Sequence, residues 1–487
     1  MEKTEKTIEN TSLSGLKIWK HRLVLPIVQW WMGIGVSTAE LAWAVAREWW
    51  IWTLSAWAIH KTALYRKYRA DLLKQAVKNS LNGKLSAEDR RLISVEANIL
   101  CIKKEIAKAK EISQWNGKIF VNIMVASKDY DACVKAACEG GADGIVSGAG
   151  LPKDLHKLTT EYPDVALIPI LSQAKGVRVL LDIWNKPYEV QSKIANNGIT
   201  TINGQKIENK EWELYQEDWT KIAATINDAS STITIWDREY TYSIDRENKN
   251  IILTKKYEWR SPDAITLEDP SKAGWHLWAI KGKLDEVNNT ETTLEVAVPA
   301  TVQLLKDRNL DIPVIAAWWI VTRKDIDRIR RLWATWVQLW SLFLTTEESN
   351  AHPDFKNDVI NAKLEDVGTY NSSAFYPARY LKKSLENDDV EWITIKTKDC
   401  LVTCLTHCAL KDSIGWYAQI CIHNKLLASI KWSDGKWLKF IWYPFSPEWE
   451  NKIASLIQEI HESTWTLNII FPTVKEIMEI LQKSVEE

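Results

Sequence analysis

The chain has 487 residues, long enough for a large buried core and for about three domains at roughly 150 residues each, unless a single barrel absorbs much of it. Lys+Arg 62 against Asp+Glu 63 gives a formal charge of −1, with 26% charged and 46% hydrophobic residues. That balance excludes the basic excess of a nucleic-acid binder and the charge bias of a disordered chain. The polar start MEKTEKTIENTS lacks the apolar core of a signal peptide. The most apolar stretch, 23–46, is interrupted by Pro26, Gln29, Ser37, Thr38 and Glu40, too often for a bilayer span of about 20 apolar residues. The expectation is a soluble, cytoplasmic protein that binds neither nucleic acid nor membrane.

Short apolar runs predict strands at 24–28, 51–55, 119–125, 144–147, 165–171, 264–268, 313–317 and 337–339. Helical patterns at 38–47, 87–112, 128–139 and 323–332 fall between them. Eight such strands alternating with helices predict a closed (β/α)8 TIM barrel, buried on both faces of its sheet, with the active site at the C-terminal strand ends. The expected division is 15–186 and 260–345 for the two parts of the barrel. A β-rich insertion, 187–259, is expected between strands five and six, because STITIWDREYTYSID alternates polar and apolar residues. A mixed, partly helical extension, 346–487, is expected to pack on the barrel, with helical runs at 449–462 and 474–485. No repeat is visible beyond the βα period itself.

One feature of the composition is abnormal: Trp occurs 28 times and Gly only 18 times. An average chain of this length is roughly 7% Gly, about twice the amount found here. The tryptophans also stand where turns call for glycine, as at Trp30-Trp31 before Met32-Gly33, at Trp318-Trp319 after a strand, and at Trp275 beside Gly274. The expectation is that many of these positions, Trp30, Trp31, Trp275, Trp318, Trp319 and Trp340 among them, are UGA codons read as glycine.

With glycine at those positions, IPVIAAWWI (312–320) and ATWVQLWS (334–341) become strand-to-glycine turns. Backbone N–H groups there can close on a phosphate without a Cβ in the way. These are the turns after strands seven and eight, where barrels commonly bind phosphate. In the tail, Cys400, Cys404 and Cys408 are spaced by four, which on a helix would put the sulfurs in one stripe. The spacing does not match paired zinc ligands, so a buried stripe of free thiols and no metal site is expected.

Taken together, Pro26-Ile27-Val28-Gln29-Trp30-Trp31-Met32-Gly33, the strand-two run 49–55, Val121-Asn122-Ile123-Met124-Val125, Ser147-Gly148-Ala149-Gly150-Leu151-Pro152 and Ala273-Gly274-Trp275-His276-Leu277-Trp278 resemble the nitronate monooxygenases, formerly called 2-nitropropane dioxygenases. The similarity covers roughly 15–185 and 260–350. It implies an FMN enzyme on a TIM barrel that oxidises alkyl nitronates or nitroalkanes with O2 to a carbonyl compound and nitrite. By the same resemblance Gln29, Trp30, Trp31 and Met32 lie along the flavin, and Asn122, Glu268, Gly274 and Trp275 contact the cofactor. Trp318, Trp319, Trp340 and Ser341 hold its phosphate, with Gln338 and Leu339 beside them. His276 is the catalytic base. The stretch Glu268-Asp269-Pro270-Ser271-Lys272 is one residue longer than the family's usual form. The alternative reading is an NAD(P)H-dependent flavin reductase of the enoyl-acyl-carrier-protein reductase or quinone reductase type on the same barrel.

Overall fold

In a computed structural model of the chain, the structure describes residues 27–29, 37–47, 51–57, 59, 65–80, 84–113, 118–195, 198–202, 205–210, 213–216, 221, 224–227, 230–235, 238–245, 247, 250–257, 259–269, 292–317, 320, 322–339, 341–371, 377–382, 404–408 and 471–482. From the N-terminus the elements are β1 (Ile27–Gln29), α1 (Ala39–Arg47), β2 (Ile51–Ser55), α2 (Arg66–Asn79), α3 (Ala87–Ile112), β3 (Lys118–Met124), α4 (Tyr130–Glu139), β4 (Gly144–Gly148), α5 (Leu155–Leu158), β5 (Ala166–Leu171) and α6 (Ala174–Trp184). Eight antiparallel strands follow: β6 (Tyr188–Ala195), β7 (Gly198–Ile202), β8 (Gln205–Lys210), β9 (Glu213–Gln216), β10 (Ala224–Asn227), β11 (Thr232–Ile235), β12 (Arg238–Asp245) and β13 (Asn250–Tyr257). The remainder comprises β14 (Ile265–Glu268), α7 (Leu294–Asp307), β15 (Val314–Ala317), α8 (Arg323–Arg331), β16 (Trp336–Leu339), α9 (Ser341–Leu344), α10 (Pro353–Ile360), β17 (Val367–Asn371), β18 (Pro377–Leu381) and α11 (Val474–Gln482).

Eight parallel strands close into a barrel in the order β1-β16-β15-β14-β5-β4-β3-β2. Their boundaries lie within one to three residues of those expected from the apolar runs. The reason is physical. Strands covered on both faces must be apolar along their whole length, and β14, β15, β16 and β4 are buried at every residue. The helices begin at local signals. Ser86 and Thr322 each close a capping box, with Asp89 before α3 and Asp325 before α8. The C-terminal α11 packs against α1, while the expected helix at 449–462 lies outside the described residues.

Lys153–Val165 and Val179–Ser261 form one compact unit, and the other described residues form a second. In the former, β10-β11-β12-β13-β6 make a five-stranded antiparallel sheet and β7-β8-β9 a three-stranded one. Its core is Ile194, Leu214, Ile233, Ile235, Tyr240 and Leu253. The polar-apolar alternation that marked this segment is the pattern of sheets wet on one face.

At its edge His156, buried at 1% exposure, packs on Trp184 at 5.0 Å and edge-on to Tyr188 at 4.8 Å. Burial, followed by the charge of Lys157, pushes the imidazole down to about 4. A folded value below the unfolded one near 6.5 means that the unfolded chain takes up the proton first as pH falls. Stability conferred by neutral His156 is therefore complete above about 6.5 and is lost as pH drops toward about 4. Comparing thermal midpoints of the wild type and His156→Phe from pH 7 to 4.5 should show the gap narrowing on the acid side, by up to ~3 kcal/mol. Parallel curves would refute the burial account.

Tyr188 opens β6 and pairs with Tyr257 at the end of β13, their rings stacked at 5.3 Å. The chain thus enters and leaves the five-stranded sheet at one point. Replacing 189–256 with a short Gly/Ser linker should leave a soluble protein that unfolds cooperatively by circular dichroism. An insoluble product would mean that this segment supplies barrel core.

Candidate active site

The C-terminal strand ends bring several of the expected residues onto one rim. Gln29 pairs with Leu339, Ala317 lies between Gln338 and Glu268 in register, and Ser55 pairs with Asn122. All of these except Ala317 and Leu339 are polar and all are sealed: Gln29 1%, Ser55 2%, Asn122 2%, Gln338 3% and Glu268 4% exposed. Trp30, Trp31, Met32, Gly274, Trp275, His276, Trp318, Trp319 and Trp340 lie outside the described residues. Ser341 begins α9 directly after β16.

The amide of Gln29 is engaged. Its Oε1 accepts the Thr53 N–H at 3.2 Å and its Nε2 donates to Ser37 Oγ at 3.2 Å. The start of α1 is anchored by Glu105, buried on α3. The carboxylate accepts the Ala39 N–H at 3.0 Å, at the positive end of α1, and the Tyr65 hydroxyl at 2.5 Å. Burial pushes the Glu105 carboxyl up, and these two donors oppose that shift.

The turn after β4 is built to a close tolerance. A Cβ on Gly148 would sit 2.8 Å from Ile170 Cβ. Ala149 and Gly150 both take positive φ, 64° and 129°, and for Ala149 that is backbone strain placed at the rim. Ser147 settles its own hydroxyl on the Ile123 carbonyl and Tyr130.

Two expected residues stand apart from these satisfied groups. Both side-chain atoms of Asn122 and the Oε1 of Gln338 are buried without a hydrogen-bond partner. Buried polar atoms are rarely left so, and each costs about 1–3 kcal/mol when it is. Such an arrangement fits a ligand that presents both donors and acceptors along a flat polar edge, as the isoalloxazine of a flavin does. Thr53, fully buried with its Oγ1 also unpartnered, joins them and was not singled out in the sequence. The only trace was the alternation of Thr53 and Ser55 on one face of β2. Beside the rim, at the ends of β2 and β3, an open crevice of about 520 Å3, including open solvent, is lined by Ala56, Trp57, Asn98, Ile123, Met124 and Cys404 among others.

A family model of the nitronate monooxygenases matches residues 220–414, a span that includes β14, β15 and β16. Over that span, less than half of its length, the chain is similar to the nitronate monooxygenase family. That similarity supports a flavin-dependent oxidoreductase. Among solved structures it is similar to the enoyl reductase domain of MlnA from the macrolactin biosynthesis cluster of Bacillus amyloliquefaciens, at 11% identity and TM-score 0.51 over 94% of this chain and 92% of that one. It is also similar to a FabK variant from Thermotoga maritima (15%, TM-score 0.48, 94% and 91%). A third likeness is to the nitroalkane oxidase from Streptomyces ansochromogenes (15%, TM-score 0.43, 73% and 76%). At 11% identity the likeness to the MlnA domain is one of fold. No curated protein sequence matches the chain.

The cysteine stripe needs correction. Residues 404–408 are not helical: Leu405 bridges antiparallel to Ser127, and Cys404 and Cys408 are half-buried. Spacing by four arose in an irregular strap, and Cys400 lies outside the described residues. No group of three or more potential metal ligands occurs among the described residues, and none of their helices is long and apolar enough to cross a membrane.

Removing the orphaned amide tests the site directly. Asn122→Leu should leave the flavin-free protein at least as stable, since unsatisfied buried groups are removed, while flavin retention falls. Absorbance near the flavin band per mole of purified protein, read beside a thermal melt, checks both. Full retention would take Asn122 out of the site.

Proposed function

We propose that this chain is a nitronate monooxygenase that binds FMN and oxidises alkyl nitronates with O2 to a carbonyl compound and nitrite. The observation that carries the reading is the sealed, unpartnered amide of Asn122 and the unpartnered Oε1 of Gln338, on the rim of a barrel whose last three strands lie in the span that matches that family. FMN, when bound, supplies the electron and oxygen chemistry; the protein supplies binding, orientation and electrostatics. Asn122 and Gln338 would hold the ring's polar edge, with Glu268 on the same rim. The backbone at 318, 319, 340 and 341 would hold the phosphate, after β15 and β16, where barrels of this class commonly do so. Gln29 braces the turn that would lie along the ring.

A neutral nitroalkane reacts only after loss of its α-proton, and an imidazole with a pKa near 6.5 suits that task at neutral pH. His276 is assigned this role. A nitronate has already lost the proton and needs no base, so the two substrates separate the residue's roles. His276→Asn should reduce turnover of a neutral nitroalkane by ~10²–10⁴-fold, retain FMN, and keep much of its activity on the preformed nitronate. Equal losses on both substrates would make His276 a positioning residue. Anaerobic mixing with NAD(P)H tests the reaction class: rapid flavin bleaching would replace this reading with the reductase one.

A further inference from the structure

The turns leading from α4 into β4 and from α8 into β16 are the same device. After α4, Gly140 caps the helix and Gly141 takes φ +82°, its N–H donating to the Cys138 carbonyl at 2.9 Å. After α8, Leu332 caps the helix and Trp333 takes φ +70°, its N–H donating to the Arg330 carbonyl at 3.0 Å. Two residues on, the Asp143 N–H donates to the Ile119 carbonyl at 2.8 Å, and the Thr335 N–H to the Val314 carbonyl at 2.8 Å. The return bonds match as well. Ile119 N–H reaches Asp143 Oδ2 at 3.0 Å, and Val314 N–H reaches Thr335 Oγ1 at 3.3 Å. In this register Gly141 corresponds to Trp333 and Gly144 to Trp336.

A third turn, after α7, uses the same geometry, with Asn309 at φ +54° donating to the Lys306 carbonyl at 2.9 Å. Glycine and asparagine are the residues that enter the left-handed region at little cost, whereas a bulky side chain there is an outlier. Trp333 gains little burial in return, being 66% exposed. At the first position of the strand the mismatch recurs. A Cβ on Gly144 would lie 2.7 Å from the Phe120 ring, while its counterpart Trp336 is 2% exposed and its indole N–H has no acceptor. These contacts add a conformational reason to the surplus of 28 Trp over 18 Gly.

We infer that residues 333 and 336 are glycine in the protein as its own cell makes it, encoded by UGA read as glycine. Trp184 marks the limit of the inference. It ends α6, is 1% exposed and packs its ring on His156, whereas the buried indole of Trp336 has an N–H without an acceptor, so tryptophan is expected to be genuine at 184.

Trypsin cutting after Arg331 and Lys356 releases one peptide that holds positions 333, 336 and 340. Its mass, measured on protein isolated from its native cells and set beside the coding DNA, is the test. UGA codons with glycine masses at 333 and 336, and UGG with a tryptophan mass at 184, are expected. UGG at 333 or 336, or a tryptophan mass at either position, overturns the inference. Protein made with the printed sequence gives a second readout. Trp333→Gly should raise the thermal midpoint by a few degrees, and Trp184→Gly should lower it. A midpoint that Trp333→Gly leaves unchanged or lowers would mean that the turn does not select glycine.

Discussion

Everything at the active-site face depends on closing the eight-stranded sheet at β1. This strand has only three residues. Among the described residues it matches β16 at three positions and β2 at one, Val28 with Ile51. Beside that pairing, Gln29 ties β1 to β2 by accepting the Thr53 N–H with its side chain. The same side chain reaches Ser37 just before α1, where Glu105 accepts the first helical N–H. One buried amide and one buried carboxylate thus hold the end of β1 and the start of α1. Unpaired, each would be costly; paired with backbone donors, each fixes a geometry that backbone pairing alone leaves loose.

The rim separates two kinds of buried polar group. Gln29, Ser147 and Glu105 have protein partners and act as braces. Asn122 and Gln338 have sealed atoms with none, on strands that lie on either side of β1 and β2 in the barrel order. With Thr53 Oγ1 they form a small group of sealed polar atoms suited to a polar ligand, which is why these two amides weigh more in the functional reading than any count of polar residues.

The barrel was legible in the chain because parallel strands covered by helices must be apolar throughout, and runs such as IFVNIM and VIAA have few other homes. Helix α2 was harder to foresee: RKYRADLLKQAVKN is largely exposed, so its apolar stripe is thin. The cysteine spacing misled because a period of four is shared by a helix and, by coincidence, by a bent strap tied to Ser127. At the site, Asn122, Glu268 and Gln338 were found through motifs that only a family resemblance could supply. Thr53 was invisible because a threonine in a strand is normally unremarkable, and only burial without a partner distinguishes it.

The strap also orders events in time. Lys128 N–H donates to the Cys404 carbonyl and Thr406 N–H to the Ala126 carbonyl, so the chain just after β3 is completed by residues far downstream. At typical rates of synthesis the earlier segment waits some tens of seconds for its partner. Contacts this distant in sequence also slow folding, because a large loop must close before they form. The exit of β3, beside Asn122, is therefore among the last parts of the rim to be finished on the ribosome. A chain truncated before residue 404 would have every barrel strand and still lack that edge.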